Sequence, residues 1–362
     1  MNDKEKQVID MIKANPYLSQ QEMATQLNIS RPALANIISG LMKKGEIVGR
    51  AYILPKKDAI VVIGGANVDR KFHLNNEVRY GTSNIASSHS SVGGVARNIA
   101  ENLGRLGNSV KLITIMGNDQ DAYQIEQESS TYINFDLVEK RENETTGSYT
   151  AILSNDGELI LGLANMAIYD SLIPAVLEKH ESTLINSKCI VVDLNCPKET
   201  VEYLKNIAEV RNVPFAIVPV SSPKMKNMPS DLKGVTYFIC NLEEVEMYLN
   251  GRIESLIDCE VAVKQLLELG AENVVLTMGD KGVYIGNYSG RKHLEAVKVN
   301  DVVDVTGAGD AFVGATLHGV LNGDSFEDAV QLGLYNASKT LESDKTVRND
   351  LSAEELYNWR NL

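Results

Sequence analysis

The sequence has little of what marks several common classes of protein. Only four cysteines occur in 362 residues and none forms a CxxC pair, which indicates reduced thiols rather than a zinc or disulfide framework. The longest apolar runs, such as Ala59–Ile63, are too short to cross a bilayer, and the charged start MNDKEKQ leads into no apolar signal core. We therefore expect a cytoplasmic protein without a membrane span. No Gly-Lys dipeptide occurs, which excludes a phosphate-binding P-loop.

Charge is distributed unevenly along the chain. The whole sequence carries a net charge of −13, but residues 1–57 hold nine Lys or Arg against five Asp or Glu, a net charge of +4. The remaining residues therefore carry −17. A change of sign of this kind predicts a domain boundary, with one domain over 1–57 and a second over 58–362. The hydrophobic content of 44% is that of ordinary globular proteins.

The N-terminal domain has the pattern of three short helices followed by a hairpin. Ser19 with Glu22 is a capping box that begins the second helix, and Ser30 with Pro32 begins the third. Glu46–Leu54 predicts a hairpin, and the whole resembles a winged helix-turn-helix. That resemblance implies DNA contacts by the exposed third helix and by basic residues near it. The candidates are Ser30, Arg31, Asn36, Lys43, Lys44 and Arg50. The alternative is a helical module for dimerisation or domain packing.

The second domain alternates apolar strands with helices. Runs rich in β-branched residues recur at Ala59–Ile63, Val110–Ile115, Ile190–Leu194 and Phe215–Val218, and helical stretches lie between several of them. This alternation predicts an α/β fold with a mostly parallel sheet covered on both faces. Two stretches, about 70–92 and 146–165, lack helical periodicity. Because the second contains an Asn-Asp-Gly turn between alternating residues, we expect the two to form a small β lid.

Asp301–Gly319 carries the most informative motif, DVTGAGDAF, in which a glycine turn opens a helix. The turn formed by Gly307, Ala308 and Gly309 directs backbone N–H groups into one cavity, where the positive end of the helix adds to their field. Asp310 stands beside that cavity and can accept a proton from a hydroxyl group. An anion site next to a carboxylate base suits phosphoryl transfer to an alcohol. The alternative is an N-capping aspartate after a glycine turn.

Two further glycine turns lie earlier in the domain. GGANVD follows the first strand and supplies Asn67 and Asp69, and GGVARN combines Gly93 and Gly94 with Asn98 at the start of a helix. Short amide and carboxylate side chains on glycine turns are suited to binding sugar hydroxyls.

These motifs together resemble the PfkB, or ribokinase-like, carbohydrate kinases. GGANVD, GGVARN, Asn241–Glu244, Leu276–Gly282 and DVTGAGD occur in family order from about Asp58 onward. The resemblance implies a ribokinase-like three-layer α/β/α fold with a mostly parallel sheet and a small β lid. It also implies ATP and Mg²⁺ as cofactors, and K⁺ as a further one. Family members commonly have Lys after the paired glycines, where this chain has Val95, so Arg97 is the candidate for that charge.

The resemblance assigns a role to each matching residue. Asp310 would be the general base, and Gly307, Ala308 and Gly309 the anion hole. The sugar would be held by Asn67, Asp69, Gly93, Gly94, Asn98 and Asn195. The nucleotide and its Mg²⁺ would be bound by Asn241, Glu244, Thr277, Gly279, Gly282 and Asn336. Asp304 and Thr306 match positions that bind a monovalent cation in many members.

The lid sequence is similar to that of pseudouridine kinases, several of which also resemble this chain in carrying an N-terminal helix-turn-helix. The implied reaction converts pseudouridine and ATP to pseudouridine 5′-phosphate and ADP. Candidate base or lid contacts are Tyr149, Asn165, Met166 and Lys224. The alternatives are another acceptor, such as inosine, uridine or ribose, or a DNA-binding regulator that uses the kinase-like body as a ligand sensor. A homodimer is expected, because a lid that also serves as a dimer interface is common among relatives.

Overall fold

The computed structural model describes residues 1–49 and 56–359. The N-terminal part contains helices α1 (Asp3–Ala14), α2 (Gln20–Gln26) and α3 (Arg31–Lys43) around its own apolar core. Ser19 and Ser30 cap α2 and α3 as expected, since each hydroxyl accepts a hydrogen bond from the backbone N–H three residues on. Most of the expected hairpin, including Arg50, lies outside the described residues.

An eight-stranded sheet forms the centre of the second domain. Its spatial order is β14-β13-β12-β11-β10-β9-β1-β4. The six strands from β12 to β4 are parallel, and β13 and β14 extend the sheet antiparallel. The strands are β1 (Ala59–Ile63), β4 (Ser109–Ile113), β9 (Cys189–Asp193), β10 (Phe215–Val218), β11 (Tyr237–Asn241), β12 (Asn273–Thr277), β13 (Val283–Asn287) and β14 (Gly290–Leu294).

Helices cover both faces of this sheet, because successive residues of its strands point to opposite faces. In β1, Val61 and Ile63 enter one apolar core, whereas Ile60 and Val62 enter the other. The first core contains α6 (Pro174–Glu178), α7 (Glu181–Ile185), α8 (Lys198–Arg211), α9 (Leu242–Leu249) and α10 (Leu256–Glu268). The second contains α4 (Val95–Arg105), α5 (Gln120–Ser129), α11 (Ala308–Leu321) and α12 (Phe326–Leu341), and α13 (Ala353–Trp359) packs on α12. The expected three-layer α/β/α fold is confirmed.

A separate four-stranded sheet forms the lid. Its spatial order is β3-β2-β7-β8, with β2 parallel to β7 and the two outer pairs antiparallel. The hairpin around Asn155–Gly157 is present as expected. The strands are β2 (Asn67–Leu74), β3 (Ala86–Gly93), β7 (Gly147–Leu153) and β8 (Leu159–Asn165). A small parallel pair, β5 (Ile115–Gly117) and β6 (Glu139–Arg141), joins lid and body.

This topology places the glycine turns together. The loops after β1 and β9 leave the carboxyl ends of neighbouring parallel strands, where binding sites of such sheets lie. Strand β2 continues directly from the β1 loop into the lid. None of the helices in the described ranges has the length and apolarity needed to span a bilayer.

Candidate active site

The N-terminus of α11 forms the anion site that the sequence predicts. Gly307 caps the helix with a φ of +83°, and a Cβ there would lie 2.2 Å from the carbonyl oxygen of Thr346. Glycine is therefore required. The first-turn N–H groups of a helix lack intrahelical partners, and Ala308 N has only a long 3.4 Å contact to Val305 O. The turn thus presents backbone donors at the positive end of a 14-residue helix.

Asp310 lies in the first turn of α11 and does not cap the helix, which excludes the capping alternative. Its Oδ2 accepts a 2.7 Å hydrogen bond from Asn98 Nδ2. Burial raises the pKa of Asp310 to about 7; the Asn98 hydrogen bond opposes that rise, and the charges of Asp193 and Asp69 add to it. A carboxylate with this pKa changes its protonation state near neutral pH, as a general base requires.

Arg97 positions Asn98 and does not face the cleft. Its guanidinium is 2% exposed, forms an ion pair with Glu101 and donates to Ser129 Oγ at 2.9 Å. It also donates to Asn98 Oδ1 at 2.8 Å, so the amide nitrogen of Asn98 is directed toward Asp310. Arg97 therefore contacts Asn98 rather than the cleft, although its charge lowers the pKa of both Asp310 and Asp69 from a distance.

The acceptor side of the site is formed by the start of β2 and by the turn before α4. Asn67 Nδ2 donates to Asp69 Oδ1 at 2.7 Å, and burial raises the pKa of Asp69 to about 6. A Cβ on Gly93 would lie 2.2 Å from Asp69 Oδ2. Gly94 has a φ of +97°, and a Cβ there would lie 2.4 Å from Gly65 O. Glycine at both positions thus allows the backbone before α4 to lie against the Gly65 backbone and the Asp69 carboxylate.

Asp193 is the residue that sequence reasoning missed. Its buried carboxylate accepts hydrogen bonds from Gly65 N (2.9 Å), Ala96 N (3.0 Å) and Asn195 N (2.8 Å). The side chain of Asn195 also donates to it at 3.2 Å. The only signal in the sequence was an acidic residue at the end of an otherwise apolar strand.

A cavity of about 590 Å³ lies on the other side of the α11 turn. Thr277, Gly279 and Gly282 line it as expected, together with Ala308 and Gly309 of the anion site. The rest of its wall is largely apolar and includes Val299, Val302, Val305, Phe312, Leu334, Ala337 and Leu341. An elongated molecule in this cavity can therefore end at the helix N-terminus, opposite Asp310.

Asn336 does not line this cavity, and its expected role at the nucleotide is corrected. The residue is 0% exposed. Its Nδ2 donates to Asn102 Oδ1 (3.0 Å) and Ala311 O (2.9 Å), and its Oδ1 accepts from Arg348 Nε (3.0 Å). Since these bonds use both ends of the amide, Asn336 fixes α11 and α12 to each other.

One expected base contact in the lid, Asn165, is also corrected. Asn165 pairs with Ser148, in the row of β8 that includes Leu163 and Leu161, whereas Asp69 pairs with Tyr149 and Ala164 on the opposite face. The amide of Asn165 donates to Thr145 Oγ1 at 3.1 Å. Met166 is partly buried against an apolar core of the second domain, and its expected contact with the base stays a prediction. Tyr149 is therefore the expected lid contact that shares a face with Asp69.

Asn241 and Glu244 form a reciprocal capping box at the start of α9. Asn241 Oδ1 accepts from Glu244 N at 2.9 Å, and Glu244 Oε2 accepts from Asn241 N at 2.8 Å. Within the described residues, no three His, Cys, Asp or Glu side chains are grouped to hold a metal. Asn241 and Glu244 thus each have a side-chain oxygen engaged by the helix cap, and their role at Mg²⁺ stays a prediction.

The residues at Asp304 do not fit the expected monovalent cation. Asp304 Oδ1 accepts hydrogen bonds from Thr306 N (2.9 Å) and Thr306 Oγ1 (2.7 Å), and Oδ2 is paired with Lys71 Nζ at 2.7 Å. Burial alone would raise the pKa of Asp304, but the bonds from Lys71 and Thr306 lower it to about 2. An ammonium group thus already faces this carboxylate.

Comparison with known proteins agrees with this geometry. Residues 57–352 match the model of the pfkB family of carbohydrate kinases, and residues 1–48 match that of a winged helix-turn-helix DNA-binding domain. The chain belongs to the pfkB family. It is therefore a sugar or nucleoside kinase, a phosphotransferase with an alcohol acceptor.

Several relatives of the kinase are informative. The uncharacterized sugar kinase YeiI of Escherichia coli is 28% identical over 98% of both chains. The pseudouridine kinase of E. coli is 30% identical over 82% of this chain and 95% of its own. The guanosine-inosine kinase of Exiguobacterium acetylicum is 30% identical over 78% and 94%. A putative sugar kinase from Clostridium perfringens superposes with a TM-score of 0.75 at 26% identity, over 84% of this chain and 96% of that one.

The pKa of Asp310 predicts the pH dependence of the kinase. Only the carboxylate form accepts a proton, so kcat/KM for the acceptor should rise with pH and level off above about 7. Asn98→Ala removes a hydrogen bond that lowers this pKa, and the midpoint should therefore move to higher pH. Initial rates between about pH 5.5 and 9 measure both effects. Asn118→Ala, at an exposed position, is the control; a profile that Asn98→Ala leaves unchanged would contradict the assignment.

Proposed function

We propose that the kinase transfers the γ-phosphoryl group of ATP, as its Mg²⁺ complex, to the 5′-hydroxyl of a nucleoside, and that the nucleoside is pseudouridine. The observation that carries this proposal is the juxtaposition of Asp310 with the backbone donors of the α11 turn. One group removes a proton while the other receives the negative charge that develops on the phosphoryl oxygens.

One group of residues binds the acceptor and another binds the nucleotide. Asn67 and Asp69 hold the ribose hydroxyls, so that the 5′-oxygen lies beside Asp310. The nucleotide occupies the 590 Å³ cavity, with its γ-phosphate at Ala308 and Gly309. Asp310 takes the proton of the 5′-hydroxyl as the new O–P bond forms and the bond to ADP breaks. Mg²⁺ offsets the charge of the phosphates in a domain that carries −17.

The lid favours a nucleoside over a free sugar. Tyr149 lies next to Asp69 in the lid register, on the same face, and its hydroxyl end reaches over Gly162. An aromatic ring at that position can pack against a base attached to a ribose that Asp69 holds. The E. coli pseudouridine kinase and the guanosine-inosine kinase are equally identical to this chain, at 30%, so the choice between their acceptors rests on experiment.

A panel of acceptors tests the proposal. Pseudouridine, uridine, inosine, guanosine and ribose are each incubated with ATP and Mg²⁺, and the formation of ADP is followed. We expect the highest kcat/KM with pseudouridine, and a loss of at least ~10²-fold in Asp310→Ala. Asp170→Ala, an exposed aspartate on a short helix, should retain the wild-type rate. A higher kcat/KM for ribose than for every nucleoside would refute the nucleoside assignment, and an active Asp310→Ala would remove the base.

We also propose that two copies pair through the outer face of the lid. Leu161 and Leu163 are 47% and 52% exposed in one row of β8, and Ile152 of β7 lies in register with Leu161. A row of large apolar side chains on an exposed sheet is a typical association surface.

Sedimentation of matched variants tests this pairing. Leu161→Glu should shift the protein from dimer to monomer, because it places charges in the centre of the paired face. Leu256→Glu is the control, since Leu256 is also 47% exposed but lies at the start of α10. Equal molecular masses for the two variants would show that the lid face is not the interface.

The N-terminal domain supports a second activity, which we propose is DNA binding. Arg31 and Asn36 are exposed on α3, and Lys43 is exposed at its end. Ser30 is used as the helix cap, and Lys44 is paired with Glu5 at 2.7 Å, so these two are less available.

Salt-dependent binding of the full-length chain to duplex DNA tests this activity. Arg31→Ala should weaken selective binding by about 1–3 kcal/mol, whereas Lys13→Ala, at the far end of α1, should have little effect. Affinity should fall steeply as salt is added. Absence of binding at low salt would leave the domain with a packing or dimerisation role.

A further inference from the structure

Lys71 connects the lid to the loop that precedes the anion site. It lies on β2, two residues after Asp69 and four after Asn67, and therefore on the same face of the strand. Its Nζ is 2.7 Å from Asp304 Oδ2. The two residues are 233 positions apart in sequence, so the pair exists only because the fold brings the lid over the body.

The carboxylate of Asp304 organises the turn that leads into α11. Its Oδ1 binds both the backbone N–H and the hydroxyl of Thr306, the residue directly before Gly307. Any group that fixes Asp304 thereby fixes the backbone from Thr306 to Gly309. A cation paired with Asp304 offsets the negative charge that this carboxylate would otherwise place beside the phosphates of ATP.

Arg97, another cation near the acceptor site, is buried and paired with Glu101 and not with Asp304. The side chain of Lys71 is 37% exposed, and its ion pair with Asp304 is therefore partly accessible to solvent. The charge of Lys71 also lowers the pKa of Asp69, so the ammonium acts on both sides of the acceptor site.

We propose that the ammonium group of Lys71 takes the place of a monovalent metal cation at Asp304. The chain thus carries its own cation, which holds the anion-hole turn and ties it to the lid. The proposal rests on the phosphoryl transfer proposed above. It follows that the kinase is not activated by K⁺, and that removing the amine creates a site that K⁺ can fill.

Three variants of the full-length protein test this replacement. Lys71→Met removes the charge and keeps the length of the side chain, and Lys71→Arg keeps the charge. Lys292→Met removes an exposed lysine of β14 that is paired with Glu327 at the start of α12. Each is assayed with ATP and Mg²⁺ in KCl and in tetramethylammonium chloride at equal ionic strength, which separates specific binding from screening.

For wild type, Lys71→Arg and Lys292→Met, we expect the rate of each protein in KCl to equal its own rate in tetramethylammonium chloride. Lys71→Met should lose roughly 10- to 100-fold in tetramethylammonium, because the turn is misplaced, and should recover most of that loss in KCl. Activation of wild type by K⁺ would overturn the proposal. So would a Lys71→Met variant that keeps the wild-type rate, or one that loses rate without recovery in KCl.

Thermal unfolding provides a readout that does not depend on catalysis. KCl, compared with tetramethylammonium chloride, should raise the unfolding midpoint of Lys71→Met by about 2 °C or more and leave that of wild type unchanged, since an ion that binds only the folded state stabilises it. If no acceptor were phosphorylated, the proposed function would fail, but the unfolding midpoints would still show whether Lys71 replaces a metal cation at Asp304. Equal shifts in both proteins would overturn the replacement.

Discussion

The buried carboxylate of Asp193 is the interaction on which the site depends. It ends β9 and receives hydrogen bonds from the loop after β1, from the first turn of α4 and from its own following loop. Burial raises the pKa of this group, and its backbone and side-chain donors compensate for the lost water. Because three chain segments converge on one pair of oxygens, the backbones that carry Asn67, Gly94 and Asn195 have fixed relative positions.

The proposed catalysis depends on the different surroundings of three neighbouring aspartates. Asp193 is fully hydrogen-bonded, Asp304 is paired with a lysine, and Asp310 receives a single amide hydrogen bond. The pKa of Asp304 is therefore about 2, whereas burial and the nearby carboxylates raise that of Asp310 to about 7. Groups of the same chemical type thus serve as structural anchor, charge partner and proposed base, according to what surrounds them.

The sequence predicted the local parts of this arrangement well. Strands β1 and β10 begin and end at the expected residues, since short β-branched runs between turns permit little else, and the glycine turns required by Gly94 and Gly307 were recognised from spacing. What it could not predict was non-local. Asn336 has a polar side chain at a family position, but Arg348 and Asn102 occupy its amide. Lys71 resembled any lysine on a lid strand until the fold placed Asp304 opposite it.

Strand β2 has a mechanical consequence, because it begins with Asn67 and Asp69, which are proposed to hold the acceptor, and ends in the lid. Strand β2 is continuous from Asn67 to Leu74, so any rotation of the lid sheet would also move Asn67 and Asp69. On the proposed mechanism, binding of the acceptor would be coupled to closure of the lid, and release of the phosphorylated product would reverse both. A water molecule cannot bind both side chains as a sugar does and would therefore not keep the lid closed. The kinase would thus have a means to suppress hydrolysis of ATP in the absence of an acceptor.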